Sequence, residues 1–249
     1  MNLNSTKTVR DLAVELPGAT RIFEKLGIDY CCDANQQLND ACDEAGIATQ
    51  EVIDLLEQQS QEATEERNFR NTTATELIKY IIGKHHSFTK TEIERLRFLI
   101  DKVCDVHGQN HVELNRVRSV FQTLSAELEP HMMKEECVLF PYIVRMEAAE
   151  HHNHPVSTPP FRTVANPVKM MQYEHEGAGY LLKQLRQITS NYSVPADACL
   201  SYQSLYQALE AFEKDLHQHI HLENNILFPR AVELEMKVMV SYLQDDRRR

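Results

Sequence analysis

Tryptophan is absent from this 249-residue chain, and glycine (7) and proline (9) are scarce. So little turn chemistry disfavours a strand-rich sandwich and excludes a collagen-like or low-complexity chain. No apolar run approaches the roughly 18 residues that a membrane-spanning helix needs. The opening stretch MNLNSTKTVRDLAVEL has no basic segment leading into an apolar one, so no secretory signal is visible. Positive charge is in short supply as well. With 26 Lys and Arg against 37 Asp and Glu, the formal charge is −11, which argues against wrapping nucleic acid or lying on an anionic membrane. Six cysteines (Cys31, Cys32, Cys42, Cys104, Cys137 and Cys199) do not suggest a disulfide scaffold in a chain of this size. Reduced thiols in a bacterial cytoplasm are the expectation.

What is present is helical periodicity nearly throughout, so the expected fold class is all-α. Val9, Leu12, Ala13 and Leu16 repeat at helical spacing up to Pro17-Gly18, and Ala19, Ile22, Phe23 and Leu26 do so up to Gly27. Short helices are expected over about 38–45 and around Val52, Leu55 and Leu56. These make a small helical module over residues 1–60, near the lower size limit for independent folding. Residues 61–72 are polar and read as a linker. From 73 to 240 the pattern predicts a four-helix bundle. A capping box at Thr73 and Glu76 opens the first long helix, which runs to about Cys104. The second runs from about His111 to Met146 with a kink at Pro130, where an amide hydrogen is missing from the ladder. Asn166-Pro167 reads as N-cap and first residue of the third. Ser193-Val194-Pro195 opens the fourth, which ends near Phe228.

Twelve histidines are the unusual component, and most sit among carboxylates. The segment His131-Met-Met-Lys-Glu135-Glu-Cys-Val-Leu-Phe140-Pro141 returns 88 residues later as His219-Ile-His-Leu-Glu223-Asn-Asn-Ile-Leu-Phe228-Pro229. Both read H-x-x-x-E-x-x-[VI]-L-F-P. A lone His precedes each at matching distance, His86 by 45 residues and His175 by 44. Positions i and i+4 share a helix face, so each His-Glu pair can hold one ion and reach toward another. A single H-x-x-x-E is usually a surface pair. Two copies in one frame, each with its upstream His, point to a dinuclear site built from four imidazoles and two carboxylates. Such ligands suit iron, with zinc or manganese as alternatives, and the lack of thiolates argues against a closed structural zinc site. His85 falls opposite Glu174 in the repeat, so His86 is preferred. His217 and His221 lack repeat partners and are expected to be exposed. Glu136, about 100° around the helix from Glu135, is expected to be solvated. His107 and His111 lie around a turn and receive no role, and His151, His152 and His154 form a loop cluster.

These H-x-x-x-E pairs resemble the hemerythrin-like HHE cation-binding domain. Tyr30-Cys31-Cys32 in a short helical module is similar to the ScdA-type N-terminal domain. The combination, with HMMKEE and LENNILFPRA, resembles the iron-sulfur cluster repair family of di-iron proteins over nearly the whole chain. The resemblance implies two non-haem iron ions held by His86, His131, Glu135, His175, His219 and Glu223, with Glu135 and Glu223 as bridges. It implies repair of clusters damaged by nitrosative or oxidative stress, through iron donation. Damaged iron-sulfur proteins are then the partners, nitric oxide or oxygen are small ligands, and a homodimer is left open. The His-rich insertion near 150–162 and Pro130 depart from the family pattern without touching a ligand. Adjacent cysteines close a disulfide only with strain. Cys31 and Cys32 therefore read, through the resemblance, as a functional thiol pair for iron handling or redox exchange. The rival readings are a hemerythrin-like oxygen or nitric oxide carrier or sensor, and a nitric oxide reductase. Two symmetric Glu and the Cys-Cys module count against a plain carrier.

Overall fold

The computed structural model describes residues 6–246 except 17, 32–33, 62–68, 70–71, 153–155 and 158. Its secondary structure is helical, and among the described residues the β-pairing is a lone bridge between Thr8 and Gln37. The N-terminal region folds as α1 (Val9–Glu15), α2 (Ala19–Leu26), α3 (Leu38–Ala45) and α4 (Thr49–Gln61). Local caps mark the ends of these short helices. Thr8 caps α1 by accepting from the Asp11 amide at 3.0 Å. Gly27 closes α2 in the left-handed region (φ 71°), where its amide reaches back to the Phe23 and Glu24 carbonyls. Their apolar stripes meet in one core containing Val9, Leu12, Phe23, Tyr30, Leu38, Val52 and Leu56.

Four long rods follow. The first is α5 (Ala74–Tyr80) continued by α6 (Ser87–His107), and the second is α7 (Glu113–Lys134) continued by α8 (Phe140–His152). The third is α9 (Ala165–Ile188), and the fourth is α10 (Leu200–His221) continued by α11 (Phe228–Asp246). Cross-rod pairs fix an antiparallel register. Arg97 meets Glu129 and Asp101 meets Arg118 between α6 and α7, while Arg186 meets Glu213 between α9 and α10. The expected capping box is present, with Thr73 Oγ1 accepting from the Glu76 amide at 3.1 Å and Glu76 accepting from the Thr73 amide at 3.0 Å. Glu147 of α8 adds a tertiary cap on the amides of Ala74 and Thr75.

Several boundaries differ from the sequence expectation. Helix α9 begins at Ala165 with Val164 at its cap, because buried Glu235 of α11 supplies the acceptor for the Val164 amide (2.8 Å). Asn166 and Pro167 therefore lie inside the first turn. The fourth rod starts at Leu200, after a left-handed turn over Ser190, Asn191 and Tyr192. It continues well past Phe228, because Ala231, Leu234 and Val238 extend the buried stripe. Helix α7 runs on through Pro130, and the α-ladder widens to a π turn at Glu135–Leu139. Similar turns occupy Ile81–His86 and Leu222–Leu227. The amides of Ser87, Phe140 and Phe228 each bond the carbonyl five residues back, at Ile82, Glu135 and Glu223. Two of these turns directly precede Pro141 and Pro229, which bring no N–H to the ladder and crowd the carbonyl four residues back. The linker expected at 61–72 lies largely outside the described residues. Among those described, Phe69 packs on Tyr80 and both Phe69 and Thr72 give their carbonyls to Arg230.

The π turns and the middle of α9 form a polar layer between two apolar cores. One core contains Ile93, Leu96, Phe121, Leu182 and Phe212, and the other Leu77, Ile81, Phe140, Val168 and Phe228. Glu235 ties down the far end by accepting from Tyr142 Oη (3.1 Å), Thr163 Oγ1 and the Val164 amide. Glu235→Ala strands these donors and is expected to destabilise the chain by about 3 kcal/mol in urea unfolding, leaving the polar layer itself intact.

Candidate metal centre

Each rod sends one imidazole into the polar layer, and the second and fourth rods each add a carboxylate. His86, His131, Glu135, His175, His219 and Glu223 are all at most 3% exposed, and both carboxylates are fully buried. Their ligating atoms converge as two groups of four. One comprises His86, Glu135, His219 and Glu223; the other comprises His131, Glu135, His175 and Glu223. Both carboxylates belong to both groups. His86 Nε2 lies 3.0 Å from His219 Nε2, and His131 Nε2 lies 3.0 Å from His175 Nε2. Glu223 spans the groups with its two oxygens, Oε1 at 3.0 Å from His219 Nε2 and Oε2 at 3.2 Å from His175 Nε2. Glu135 Oε2 sits 3.4 Å from both His86 Nε2 and His131 Nε2.

The donors fit a pair of cations on a specific observation. Both oxygens of Glu135 and Oε2 of Glu223 are buried without a hydrogen-bond partner. Such a pair of orphaned carboxylates is costly in a protein interior unless positive charge accompanies it. Burial pulls His86 down, but the facing carboxylates of Glu135 and Glu223 outweigh it and push the ring up to about 10. His175 goes up to about 9 for the same reason, with Glu223 the main opponent of burial. Burial and the neighbouring His175 hold His131 down at about 4. Burial and the facing Glu223 raise Glu135 to about 7, whereas His219 and His175 overcome burial at Glu223 and hold it well below the carboxylate range.

The outer nitrogens of three of the rings, His86, His131 and His175, have partners of their own. His86 Nδ1 donates to Glu136 at 2.7 Å, and Lys90 holds the same carboxylate oxygen. His131 Nδ1 donates to Glu174 at 2.7 Å, and Lys134 pairs with Glu174. His175 Nδ1 donates to Asn224 Oδ1 at 2.8 Å. Such contacts fix the ring and its tautomer so that Nε2 faces the ion. Glu136, expected to be solvated, thus orients His86, because the π turn rotates it toward the neighbouring rod. The sequence pattern assigns no such part to Glu174 or Asn224. A signal for one of them is nonetheless present, since Glu136 and Asn224 occupy the same position in the repeat, just after each shared Glu.

Other histidines depart from expectation. His85 is buried, stacks on His219 at 5.9 Å and bonds Asp215 at 3.0 Å. His221 is buried and His217 half-buried, not exposed, because the N-terminal helices cover that face of α10 and place Tyr30 edge-on against both rings. His107 and His111 join Cys199, Asp197, Glu113 and Tyr202 at the end of the bundle opposite Glu235. His151 and His152 end α8 in solvent, and His154 lies outside the described residues. Cys31 is buried, with its carbonyl accepting from Asn224 Nδ2 at 3.2 Å; Cys32 lies outside the described residues.

Comparison with known proteins agrees with this geometry. The Hemerythrin HHE cation binding domain matches residues 77–231, and a domain of unknown function, DUF542, matches residues 5–60. A probable iron-sulfur cluster repair protein of Haemophilus influenzae is 34% identical over 89% of this chain and 95% of its own length. This chain belongs to the iron-sulfur cluster repair family. Within the family, the repair protein YtfE of Musicola paradisiaca is 31% identical over 91% of this chain and 96% of its own. The repair protein ScdA of Staphylococcus haemolyticus is 27% identical over 91% and 98%. Among the described residues, no helix is long and apolar enough to cross a membrane.

With the His86 and His175 rings pushed up by the buried carboxylates, a cation taken up at this site would displace their protons. Metal loading of the bare protein is therefore expected to release about two protons per chain at pH 7, and affinity is expected to rise as pH climbs toward 9. Calorimetric titration with cobalt(II) in buffers of different ionisation enthalpy reads both effects. Loading without proton release would mean that the two rings are neutral.

Proposed function

We propose that this protein is a di-iron protein that repairs iron-sulfur clusters damaged by nitrosative or oxidative stress, and that it does so by donating iron. The observation that carries the reading is the pair of four-donor groups sharing Glu135 and Glu223. In this reading His86 and His219 would hold one iron and His131 and His175 the other, with Glu135 and Glu223 available to both. Two imidazoles and two shared carboxylates per ion suit iron and leave positions open for small ligands such as nitric oxide or oxygen. The bound irons supply the cargo and its redox change. The chain supplies a dry layer between two apolar cores, and Glu136, Glu174 and Asn224 hold the rings in place. Names given to relatives over nearly their whole length support damaged iron-sulfur proteins as clients.

The reading divides the chain into a helical N-terminal domain over 1–60, a linker over 61–72 and the di-iron bundle over 73–240. It gives Cys31 and Cys32 a part in transfer. Metal analysis and Mössbauer spectroscopy of protein from native cells are expected to show about two irons per chain in a carboxylate-bridged setting. His219→Leu is expected to lose iron, while His217→Leu, on the face toward Tyr30, keeps both. Stoichiometric zinc in place of iron would sink the assignment.

Iron-loaded protein is expected to reactivate a cluster-dependent dehydratase damaged by nitric oxide faster than an equal amount of free ferrous iron. The double variant Cys31→Ser with Cys32→Ser is expected to keep both irons and repair more slowly. Equal reactivation by free iron would remove the donation step, and undiminished repair by the double variant would return the thiols to a structural part.

A further inference from the structure

The two halves of the site differ at the residue that follows each shared Glu. In the first half it is Glu136, whose carboxylate holds His86 and is itself held by Lys90. In the second half it is Asn224. A carboxylate only accepts hydrogen bonds, whereas an amide accepts at one end and donates at the other. Asn224 uses both ends. Its oxygen takes the His175 Nδ1 hydrogen at 2.8 Å, and its nitrogen donates to the Cys31 carbonyl at 3.2 Å. One half-buried side chain thus bridges a candidate metal ligand and the backbone of the Cys-Cys segment.

The next residue extends the same junction. Asn225 Nδ2 donates to the Tyr30 carbonyl at 3.0 Å and to His221 Nδ1 at 2.9 Å. Pro229 brings no N–H to the Asn225 carbonyl, and that carbonyl accepts from Arg10 Nη2 of α1 at 3.4 Å. The π turn of the fourth rod therefore turns one asparagine toward Tyr30 and the adjacent one toward both Cys31 and His175.

We propose that Asn224 is a positioning residue that couples docking of the N-terminal helices to the His175 side of the metal centre. While the Cys31 segment is docked, its carbonyl fixes the Asn224 amide, and the amide fixes the His175 ring. Drawing that segment away, as an iron-sulfur client engaging the thiol pair would do, frees the amide and loosens His175. The His131–His175 position is then the one from which iron leaves. The exit rests on the di-iron reading, but the mechanical link between Cys31 and His175 does not.

Three variants in the full chain separate the link from simple structural support. Asn224→Asp keeps an acceptor for His175, as in the other half, but turns a carboxylate toward the Cys31 carbonyl. Asn224→Ala removes both contacts. Asn225→Ala undocks Tyr30 without touching His175. Hydrogen exchange of residues 28–31 in metal-free protein reads docking, and iron transfer to a chelator, with the Mössbauer doublets, reads the site. Exchange at 28–31 is expected to quicken in all three. Iron transfer is expected to quicken about tenfold in Asn224→Ala, the scale of lost ligand-orienting contacts. It is expected to quicken less in Asn224→Asp, which loses the tether to Cys31 but keeps an acceptor for His175. In Asn225→Ala it is expected to quicken, with no further gain in an Asn224→Ala background. Faster exchange in Asn225→Ala with unchanged iron transfer would overturn the coupling, as would equal effects of Asp and Ala at position 224. Wild-type protein without two irons that still shows the asparagine-dependent exchange would overturn the di-iron reading and leave the docking link standing.

Discussion

Two carboxylates with buried, unpartnered oxygens, side by side in the middle of a helical bundle, are the constraint to which the surrounding structure answers. Glu135 and Glu223 have no access to water, and the low local dielectric makes their mutual repulsion severe. Four imidazoles meet them, one from each rod. The facing carboxylates outweigh burial at His86 and His175 and push both rings up, toward their charged form. The apolar cores above and below exclude water from the layer, which keeps each electrostatic contact strong.

Helix geometry has to yield for the layer to exist. An unbroken α-helix places i and i+4 on one face, which suffices for His131 with Glu135 and for His219 with Glu223. The residue after each Glu lies in a π turn, at Glu135–Leu139 and at Leu222–Leu227, and meets the ring of a neighbouring rod, Glu136 at His86 and Asn224 at His175. Pro141 and Pro229 close these two turns, so the L-F-P frame is a device for widening the helix beside the site. The third π turn, at Ile81–His86, brings His85 and His86 inward together. His86 becomes a candidate ligand, and His85 stacks behind His219.

The N-terminal helices are part of the same arrangement. They cover the face of α10 that carries His217 and His221, and they reach the site through adjacent asparagines. A segment that is nearly two hundred residues from Glu223 in sequence thus ends two hydrogen bonds from a candidate metal ligand. The sequence places Cys31 far from the bundle, and only packing of one helical region on the other brings its carbonyl to Asn224.

Much of the fold and of the candidate site is legible in the amino-acid sequence. Apolar periodicity marks the helices, glycine and threonine mark their ends, and the repeated H-x-x-x-E with its upstream His picks out the six side chains that converge. These features are local or periodic, and a helix converts them directly into a face. What the sequence leaves open depends on contacts between distant elements. A carboxylate from α11 decides where α9 begins, and the N-terminal helices decide that His221 is buried. Glu136 and Asn224 acquire partners only once the π turns rotate them and the neighbouring rods pack. The sequence by itself determined which residues make the polar layer, because they recur at one helical spacing. The tertiary structure alone decided what stands behind each ring, because an orienting hydrogen bond needs two elements in contact.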